Sequence, residues 1–237
     1  MRWIWSLAAL VLVGLVAYVN LSTATVRYRL TLEAEVDGAP KSGSGVIEVT
    51  YSKNNDPISQ AEFSIDVRGE AVVLDLGPRR VLFALLKGDT DSRSGADYIV
   101  LRAFNLPGGA LPSPVTSGLQ QVRQLSGKRE LPLTSLPLLV RFGDINDPKT
   151  VERVHPQNLT ESFGPGAKLV RSTLEIVPAG VWPLNSLGIT GEPITTGIQG
   201  RLGWLKRIGG GYLDGTFAGG GPALSNVLSG ANFKMGT

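Results

Sequence analysis

The fold class is decided by one stretch of sequence, Val26-Arg27-Tyr28-Arg29-Leu30-Thr31-Leu32-Glu33-Ala34-Glu35-Val36. Apolar side chains occupy every second position of this stretch, and polar side chains occupy the positions between them. Because successive side chains of a β-strand point to opposite faces, this period of two predicts a strand with one buried and one solvated face. That division is typical of antiparallel sheets. We therefore expect a mainly β protein built from antiparallel strands.

The same alternation predicts the strands that follow. Asp37 and Gly38 begin a turn, residues 40–45 extend it as a loop, and residues 46–51 alternate again, so the first two strands form a hairpin. Residues 71–76 and 81–86 predict a second and more buried hairpin. The remaining predicted strands cover residues 63–67, 98–103, 136–142, 150–154, 168–177 and, as an edge strand, 194–205.

Finer patterns refine two regions. In the strand predicted at residues 168–177, every second residue should lie on the same face. One face should therefore carry Val170, Ser172, Leu174 and Ile176. Apolar residues at spacing three, followed by Gly127, predict a short helix over residues 116–126. Asn158 and Glu161 have the spacing of a reciprocal helix cap, which predicts one helical turn. The chain therefore predicts an antiparallel sandwich or barrel-like domain with one or two short helices, because the patterns do not determine strand order.

An N-terminal hydrophobic helix is predicted before this domain. Residues 3–19 contain only two residues that are not strongly apolar, Ser6 and Gly14, and the run continues to Leu21. The core of a signal peptide is about 7–15 residues long, whereas about 17–25 apolar residues can cross a bilayer, so the length favours an uncleaved anchor. Small residues near Ala24 also allow cleavage after that residue, as in a signal peptide.

The membrane-anchor residues are expected to be Trp3, Trp5 and Tyr18, because they lie near the ends of the run, where aromatic rings favour the headgroup layer. We expect contact with the membrane through residues 3–21. Long polar domains follow a leading signal across the membrane, so the domain is expected outside the cytoplasm. The expected location is the inner membrane with a periplasmic domain, or the periplasm after cleavage near Ala24.

Three parts are predicted along the chain. Residues 1–24 form a transmembrane anchor or signal peptide, residues 25–208 a β-rich globular domain, and residues 209–237 a Gly-rich flexible tail. Glycine triplets in the last part make ordering costly in entropy, so we expect the tail to be mobile or to dock only on a partner. Three aromatic residues could anchor it there, Tyr212, Phe217 and Phe233.

The composition excludes several function classes. The chain of 237 residues has 23 Lys and Arg residues against 20 Asp and Glu residues, so its formal charge of +3 does not support nucleic-acid binding. It has no cysteine and one histidine, which excludes disulfides, thiolate nucleophiles and metal sites that need two histidines. We expect no cofactor and no nucleic-acid partner.

Few candidate catalytic residues remain. His155 is the only imidazole, so a Ser-His-Asp triad would use it as the base, although a solvated loop histidine before Pro156 is the more common interpretation. Asp144 and Asp147 follow a predicted strand and could act as an acid and a base. Aspartate and asparagine near a proline are also ordinary turn formers, so a structural role is the alternative.

One loop contains candidate calcium ligands. Asp89, Asp91 and Asp97 lie in an oxygen-rich loop, and calcium binds hard oxygen ligands. Arg93 occupies the fifth position, where the EF-hand spacing requires a ligand. We therefore expect a solvated turn and no metal site, with these three aspartates as the candidates if a metal binds.

Five short motifs are distinctive: Ser42-Gly43-Ser44-Gly45-Val46-Ile47-Glu48-Val49, Val67-Arg68-Gly69-Glu70-Ala71-Val72, Phe83-Ala84-Leu85-Leu86, Asp147-Pro148-Lys149-Thr150-Val151 and Phe163-Gly164-Pro165-Gly166. Together they resemble a group of uncharacterised proteobacterial envelope proteins with an N-terminal hydrophobic segment. The resemblance covers residues 26–205. It implies a Gram-negative envelope location and no activity.

The leading hypothesis is a non-enzymatic, membrane-anchored or periplasmic protein that binds a protein partner in the cell envelope, with an immunity, inhibitor or exclusion role as one form of it. Antiparallel sheets offer an edge to which a partner strand can add. One alternative is a carboxylate-based envelope hydrolase that uses Asp144 and Asp147 or the Asp89 group. The other is a structural component of an envelope or secretion assembly.

Overall fold

A computed structural model describes residues 22–237 of the protein, apart from residues 55, 57–58, 78–80, 90–91, 182–183, 186 and 217–221. The strands are β1 (Thr23–Val36), β2 (Ala39–Lys53), β3 (Phe63–Glu70), β4 (Val72–Asp75), β5 (Val81–Gly88), β6 (Lys128–Glu130), β7 (Pro137–Phe142), β8 (Val151–Arg153), β9 (Ala167–Val177) and β10 (Lys234–Met235). The helices used below are α1 (Ile99–Ala103), α2 (Val115–Arg123), α3 (Leu159–Phe163), α4 (Ile198–Arg201) and α5 (Leu205–Ile208).

The strands form two antiparallel sheets. A six-stranded sheet has the order β10-β3-β2-β1-β9-β6, and a four-stranded sheet has the order β4-β5-β7-β8. Each strand is antiparallel to its neighbours. The prediction of a mainly β, antiparallel domain with a few short helices is confirmed. The expected N-terminal hydrophobic helix lies outside the described residues.

The alternation of β1 places its apolar residues in a core shared by both sheets. Every second residue of this strand from Ala24 to Val36 is buried. The same core contains Leu74 of β4, Leu82 of β5 and Leu119 of α2. Removing apolar surface from water stabilises the fold by about 25 cal/mol per Å². Strand β1 has a neighbour on each side in the six-stranded sheet, and its buried residues contribute a continuous apolar face to the core.

Strand β2 is longer than the sequence predicts. Residues 40–45, expected as a loop, belong to the strand, and only Asp37 and Gly38 form the turn between β1 and β2. Gly43 explains the error, because a Cβ atom at this position would collide with the carbonyl oxygen of Val73 in β4. Glycine is required here because the two sheets approach each other closely, so its presence does not mark a loop.

The prediction for Val170 is wrong. Ala34 of β1 lies opposite Leu169, whereas Glu33 lies opposite Arg171, so Val170 is the extra residue of a β-bulge. The bulge interrupts the alternation, and Val170 is 55% exposed. Ser172 and Leu174 are buried, as the sequence predicts for their face.

Two predicted strands are helical in the structure. Residues 98–103 contain α1, whose first three residues are buried, and a short apolar run does not distinguish a strand from a buried helix. Residues 194–205 contain α4 and the beginning of α5. Helix α4 begins where the carboxylate of Glu70 accepts a hydrogen bond from the backbone N–H of Ile198, at 2.7 Å. That contact joins residues 128 positions apart, so local sequence patterns do not indicate it.

The predicted helices at residues 116–126 and after Asn158 are present as α2 and α3. The reciprocal cap is not formed, because the side chain of Asn158 donates to Oε2 of Glu161 at 3.3 Å and does not bond to the backbone. One turn of helix therefore forms at the predicted place without the predicted contact.

A second hydrophobic core covers the other face of the four-stranded sheet. Phe83 of β5 and Phe142 of β7 belong to this core, together with Trp204, which directly precedes α5. The indole N–H of Trp204 donates to the carbonyl oxygen of Ile145 at 2.9 Å. The four-stranded sheet is consequently covered by apolar side chains on both faces.

The C-terminal segment completes this second core. Leu213, Leu228 and Phe233 are buried in it. The Phe233 ring centroid lies 5.5 Å from that of Trp204 and 5.9 Å from that of Phe142. This packing differs from the expectation of a flexible tail, because these side chains contribute apolar contacts that offset the entropy of ordering the glycines. Phe217 lies outside the described residues.

We expect Phe233→Ala to reduce the free energy of unfolding by about 3–5 kcal/mol, because it leaves a cavity among buried aromatic rings. Urea unfolding of the full chain in detergent measures this change. The control is Val227→Ala, which truncates a half-exposed residue of the same segment and should change the stability by less than about 0.5 kcal/mol. Equal stability of the Phe233→Ala variant and the unaltered protein would show that the segment does not pack on the domain.

Candidate functional site

A cleft lies beside the outer edge of β3 and is the main candidate site. Its volume is about 870 Å³. One wall comes from Ile65, Asp66 and Val67 of β3, and the opposite wall comes from the end of β5 and from Asp97. Ala231, Asn232 and residues 234–236 of the C-terminal segment form the remaining side. The cleft therefore lies between β3 of the six-stranded sheet and the end of β5 in the four-stranded sheet.

Strand β3 pairs fully on one side and only in part on the other. Residues Phe63–Arg68 pair with β2, whereas β10 pairs only with Gly69 and Glu70. The backbone N–H of Ala71 donates to the carbonyl oxygen of Phe233 at 2.8 Å, so the backbone groups of Ala71 face the C-terminal segment. Backbone groups of successive residues in a strand point to alternate sides. Phe63, Ile65 and Val67 therefore also direct their N–H and C=O groups to that side.

The outward groups of Phe63 and Ile65 have no backbone partner among the residues that the structure describes, and Gly236 reaches only as far as Val67. The side chains of all three β3 residues are half-buried against the first core. A strand beyond β3 would cover the apolar surface that they leave open. Within the described part of the chain, the edge thus combines unpaired backbone groups with incomplete burial.

Two buried tyrosines bind the loop at residues 96–97, which contributes Asp97 to the wall opposite β3. The hydroxyl of Tyr28 donates to the carbonyl oxygen of Ala96 at 2.9 Å, and that of Tyr51 donates to the carbonyl oxygen of Asp97 at 2.6 Å. Burial, and secondarily the charge of Asp97, raises the pKa of Tyr28 well above its usual range. Burial also raises the pKa of Tyr51 in the same way. Both side chains therefore remain neutral donors that fix this loop to β1 and β2.

The cleft has mixed charge. Asp66, Asp89 and Asp97 line it together with Lys87 and Lys234. Burial raises the pKa of Asp97, although backbone N–H groups of Asp97 itself and of Tyr98 act in the opposite direction. A carboxylate of raised pKa in a cleft is a feature of acid catalysts and also of purely structural sites.

The predicted calcium residues are only partly tested. Asp89 forms an ion pair with Arg153, with Oδ1 and Nη1 3.0 Å apart, while Asp97 lines the cleft. Asp91 lies outside the described residues. In the described part of the chain, no three histidine or acidic side chains converge as a metal-binding group.

The candidate catalytic residues lie in exposed turns of the four-stranded sheet and not in the cleft. Oδ1 of Asp144 accepts from the backbone N–H of Asn146 at 2.9 Å, and Oδ1 of Asp147 accepts from that of Lys149 at 3.0 Å. Both carboxylates thus stabilise turns, as the alternative interpretation holds. His155 is exposed in the loop before α3. No hydrogen bond or ion pair joins His155 to Asp144 or Asp147, all three of which lie among the described residues.

The predicted anchor residues Trp3, Trp5 and Tyr18 lie outside the described residues. From residue 22 onwards, no described helix has the length and apolar character needed to cross a bilayer.

No protein-family model, curated protein or solved structure matches the chain. The resemblance to uncharacterised proteobacterial envelope proteins therefore stays a prediction from the motifs.

We expect Asp97→Asn to raise the melting temperature by a few degrees at about pH 7, because the folded protein disfavours the charged carboxylate. The folded-state pKa lies above the ordinary value of 3.8, so this penalty is present at pH values above the folded-state pKa and disappears below the ordinary value. The gain should therefore vanish at about pH 3. Thermal unfolding at both pH values measures it.

The matched control is Asp66→Asn, which removes an exposed carboxylate from the same cleft. A melting temperature that falls at neutral pH in the Asp97→Asn variant alone would show that the Asp97 charge stabilises the fold, contrary to this account.

Proposed function

We propose that the protein binds an extended segment of a partner protein by adding it as a strand to the outer edge of β3. The observation that carries this proposal is the unpaired outward backbone of Phe63 and Ile65 beside an 870 Å³ cleft. Strand addition uses main-chain hydrogen bonds for affinity and pockets for alternate side chains for specificity. The β3 edge offers both features at the same place.

The energetics favour a partner strand with apolar residues at every second position. A hydrogen bond contributes about 0.5–1.5 kcal/mol net, so the few bonds available here account for only part of a stable complex. Apolar side chains that enter the cleft would cover Phe63, Ile65 and Val67 and add burial energy. Polar side chains at the positions between them would face water beside Ser64 and Asp66, which are exposed.

The other described edges suit strand addition less well. Strands β6 and β8 have three residues each, and β6 consists of the charged residues Lys128, Arg129 and Glu130. Short, charged edge strands are a common protection against unwanted pairing. Strand β2 lies close to strand β4, as the tight approach of Gly43 to the carbonyl oxygen of Val73 shows, so less room remains there for a partner strand.

We also infer the setting of this interaction. The two sheets share one core, which favours a sandwich over a barrel. The hydrophobic residues 3–21 support a tether to the inner membrane with a periplasmic domain, or a periplasmic protein after cleavage near Ala24. The partner is then an envelope protein, and an immunity, inhibitor or exclusion role fits a binding domain of this kind.

The second candidate function is a hydrolase that uses Asp97 as an acid, because burial raises the pKa of this cleft residue. Asp144 and Asp147 are less suited to this role, since their carboxylate oxygens already accept hydrogen bonds from backbone N–H groups within turns. The structural-component hypothesis would be favoured by a tail that becomes ordered only in a complex. Phe233 is buried on the domain itself, so that support is absent.

Peptide selection tests the proposal. Random peptides of roughly ten residues, the length of a long strand, are selected on the full-length protein in detergent. The affinity of a selected peptide is then measured for Ile65→Pro and Ile65→Ala. Both changes truncate the same side chain, but only proline removes the outward N–H and blocks the edge sterically. We expect Ile65→Pro to weaken binding at least about tenfold relative to Ile65→Ala, equivalent to about 1.4 kcal/mol.

Thermal unfolding of both variants shows whether each is folded, and proline is tolerated on an edge where its nitrogen faces away from the ladder. Selected peptides should alternate apolar and polar residues. Equal affinities for the two folded variants, or selected peptides without alternation, would contradict strand addition at β3.

A further inference from the structure

Exposed apolar side chains are concentrated in one loop. Six large apolar side chains are exposed in the described residues, and four of them lie in residues 181–189. Their exposed fractions are 67% for Val181, 42% for Leu184, 70% for Leu187 and 66% for Ile189. Single exposed apolar residues are ordinary, whereas a contiguous group indicates a contact surface.

Hydrogen bonds between described residues fold this loop back on itself. The N–H of Asn185 donates to the carbonyl oxygen of Val181 at 2.9 Å, and that of Ile189 donates to the carbonyl oxygen of Leu184 at 3.0 Å. The loop closes where the N–H of Val181 donates to the hydroxyl of Thr190 at 3.1 Å. Compact loops whose ends meet in this way are frequently functional.

A buried arginine fastens the loop to β1. Nη1 of Arg27 donates to the carbonyl oxygen of Glu192 at 2.6 Å, and Nη2 donates to that of Asn185 at 3.4 Å. The guanidinium is itself paired with the buried carboxylate of Glu48, with Nε and Oε2 2.6 Å apart. The position of the loop on the sheet is therefore set by a charged group that cannot move without losing its partners.

The loop lies at the end of the sheet where the hydrophobic N-terminal segment joins it. Arg27 lies opposite Val177 in the pairing of β1 with β9, so the chain enters residues 178–192 at that end. Thr23, the first residue of β1, is four residues from Arg27, about 13 Å along a strand. The hydrophobic residues 3–21 end two residues before Thr23.

Basic residues flank the same end. Nη2 of Arg123 donates to the carbonyl oxygen of Thr23 at 2.5 Å. Lys53 is exposed and adjoins Ser52, which lies opposite Thr23. Lys128 is exposed opposite Glu175 of β9. Cationic side chains beside an apolar surface complement anionic lipid headgroups.

We propose that Val181, Leu184, Leu187 and Ile189 insert into the headgroup region of the bilayer beside the N-terminal segment and form a second membrane contact. This inference rests on the membrane tether in the proposed function. A second copy of the chain fits less well, because four side chains of one loop supply much less than the roughly 800 Å² per partner of a standard protein interface. The contact would hold the domain in one orientation, since two attachment points restrict rotation about the tether.

Fluorescence in reconstituted vesicles tests the contact. The chain has no cysteine, so Leu187→Cys places a polarity-sensitive dye at a single site of the full-length protein. Val227→Cys is the matched control, because Val227 is 47% exposed on a different part of the domain. Vesicles contain phosphatidylcholine and phosphatidylglycerol, with or without a lipid that carries a quenching nitroxide. We expect a blue shift and quenching by this lipid at position 187, and neither effect at position 227.

Flotation of the same vesicles separates the two claims. If the full-length protein does not float with the vesicles, both the tether and the loop contact are wrong. If it floats but the dye at position 187 is not quenched, the tether stands and the loop contact is overturned. A blue shift without lipid quenching, accompanied by cross-linked dimers, would identify a second copy as the occupant and would also overturn the proposal.

Discussion

A β-sheet can end only where the outward backbone groups of its last strand meet water or another partner, and this constraint organises the protein. Among the described residues, the β6 and β8 edges are three residues long, and β4 is approached by β2 at Gly43. The β3 edge differs, because β10 pairs only at Gly69 and Glu70 and leaves the outward backbone groups of Phe63 and Ile65 without a backbone partner among the described residues. These residues adjoin the cleft, so the unpaired backbone and the unfilled volume are one feature of the fold.

Buried charges position the chain after β9. Arg27 and Glu48 are both buried, and Arg27 bonds to the carbonyl oxygens of the loop that follows β9. Glu70, also buried, accepts from the first N–H of α4. A buried charge is costly unless it is paired and hydrogen-bonded, and removing one partner is strongly destabilising. These contacts therefore define where Asn185, Glu192 and Ile198 lie on the sheets.

Local periodicity predicted much of the fold and little of the candidate site. The alternation of β1 and the spacing in α2 required no distant contact, and both elements occur where the pattern placed them. Gly43 was misread because its reason is a neighbouring strand, and Val170 was misread because a bulge depends on the register with β1. The β3 edge could not be found in this way, since an edge exists only once strand order is known. The alternating stretch 63–67 was the one signal available.

Residue-resolved amide hydrogen exchange on the unaltered protein measures whether the β3 edge is open. The account predicts fast exchange at Phe63 and Ile65, whose N–H groups face the cleft side. It predicts slow exchange at Ser64 and Asp66, whose N–H groups face β2. Uniform protection of all four amides would show that the edge is already paired and would contradict the proposed binding mode.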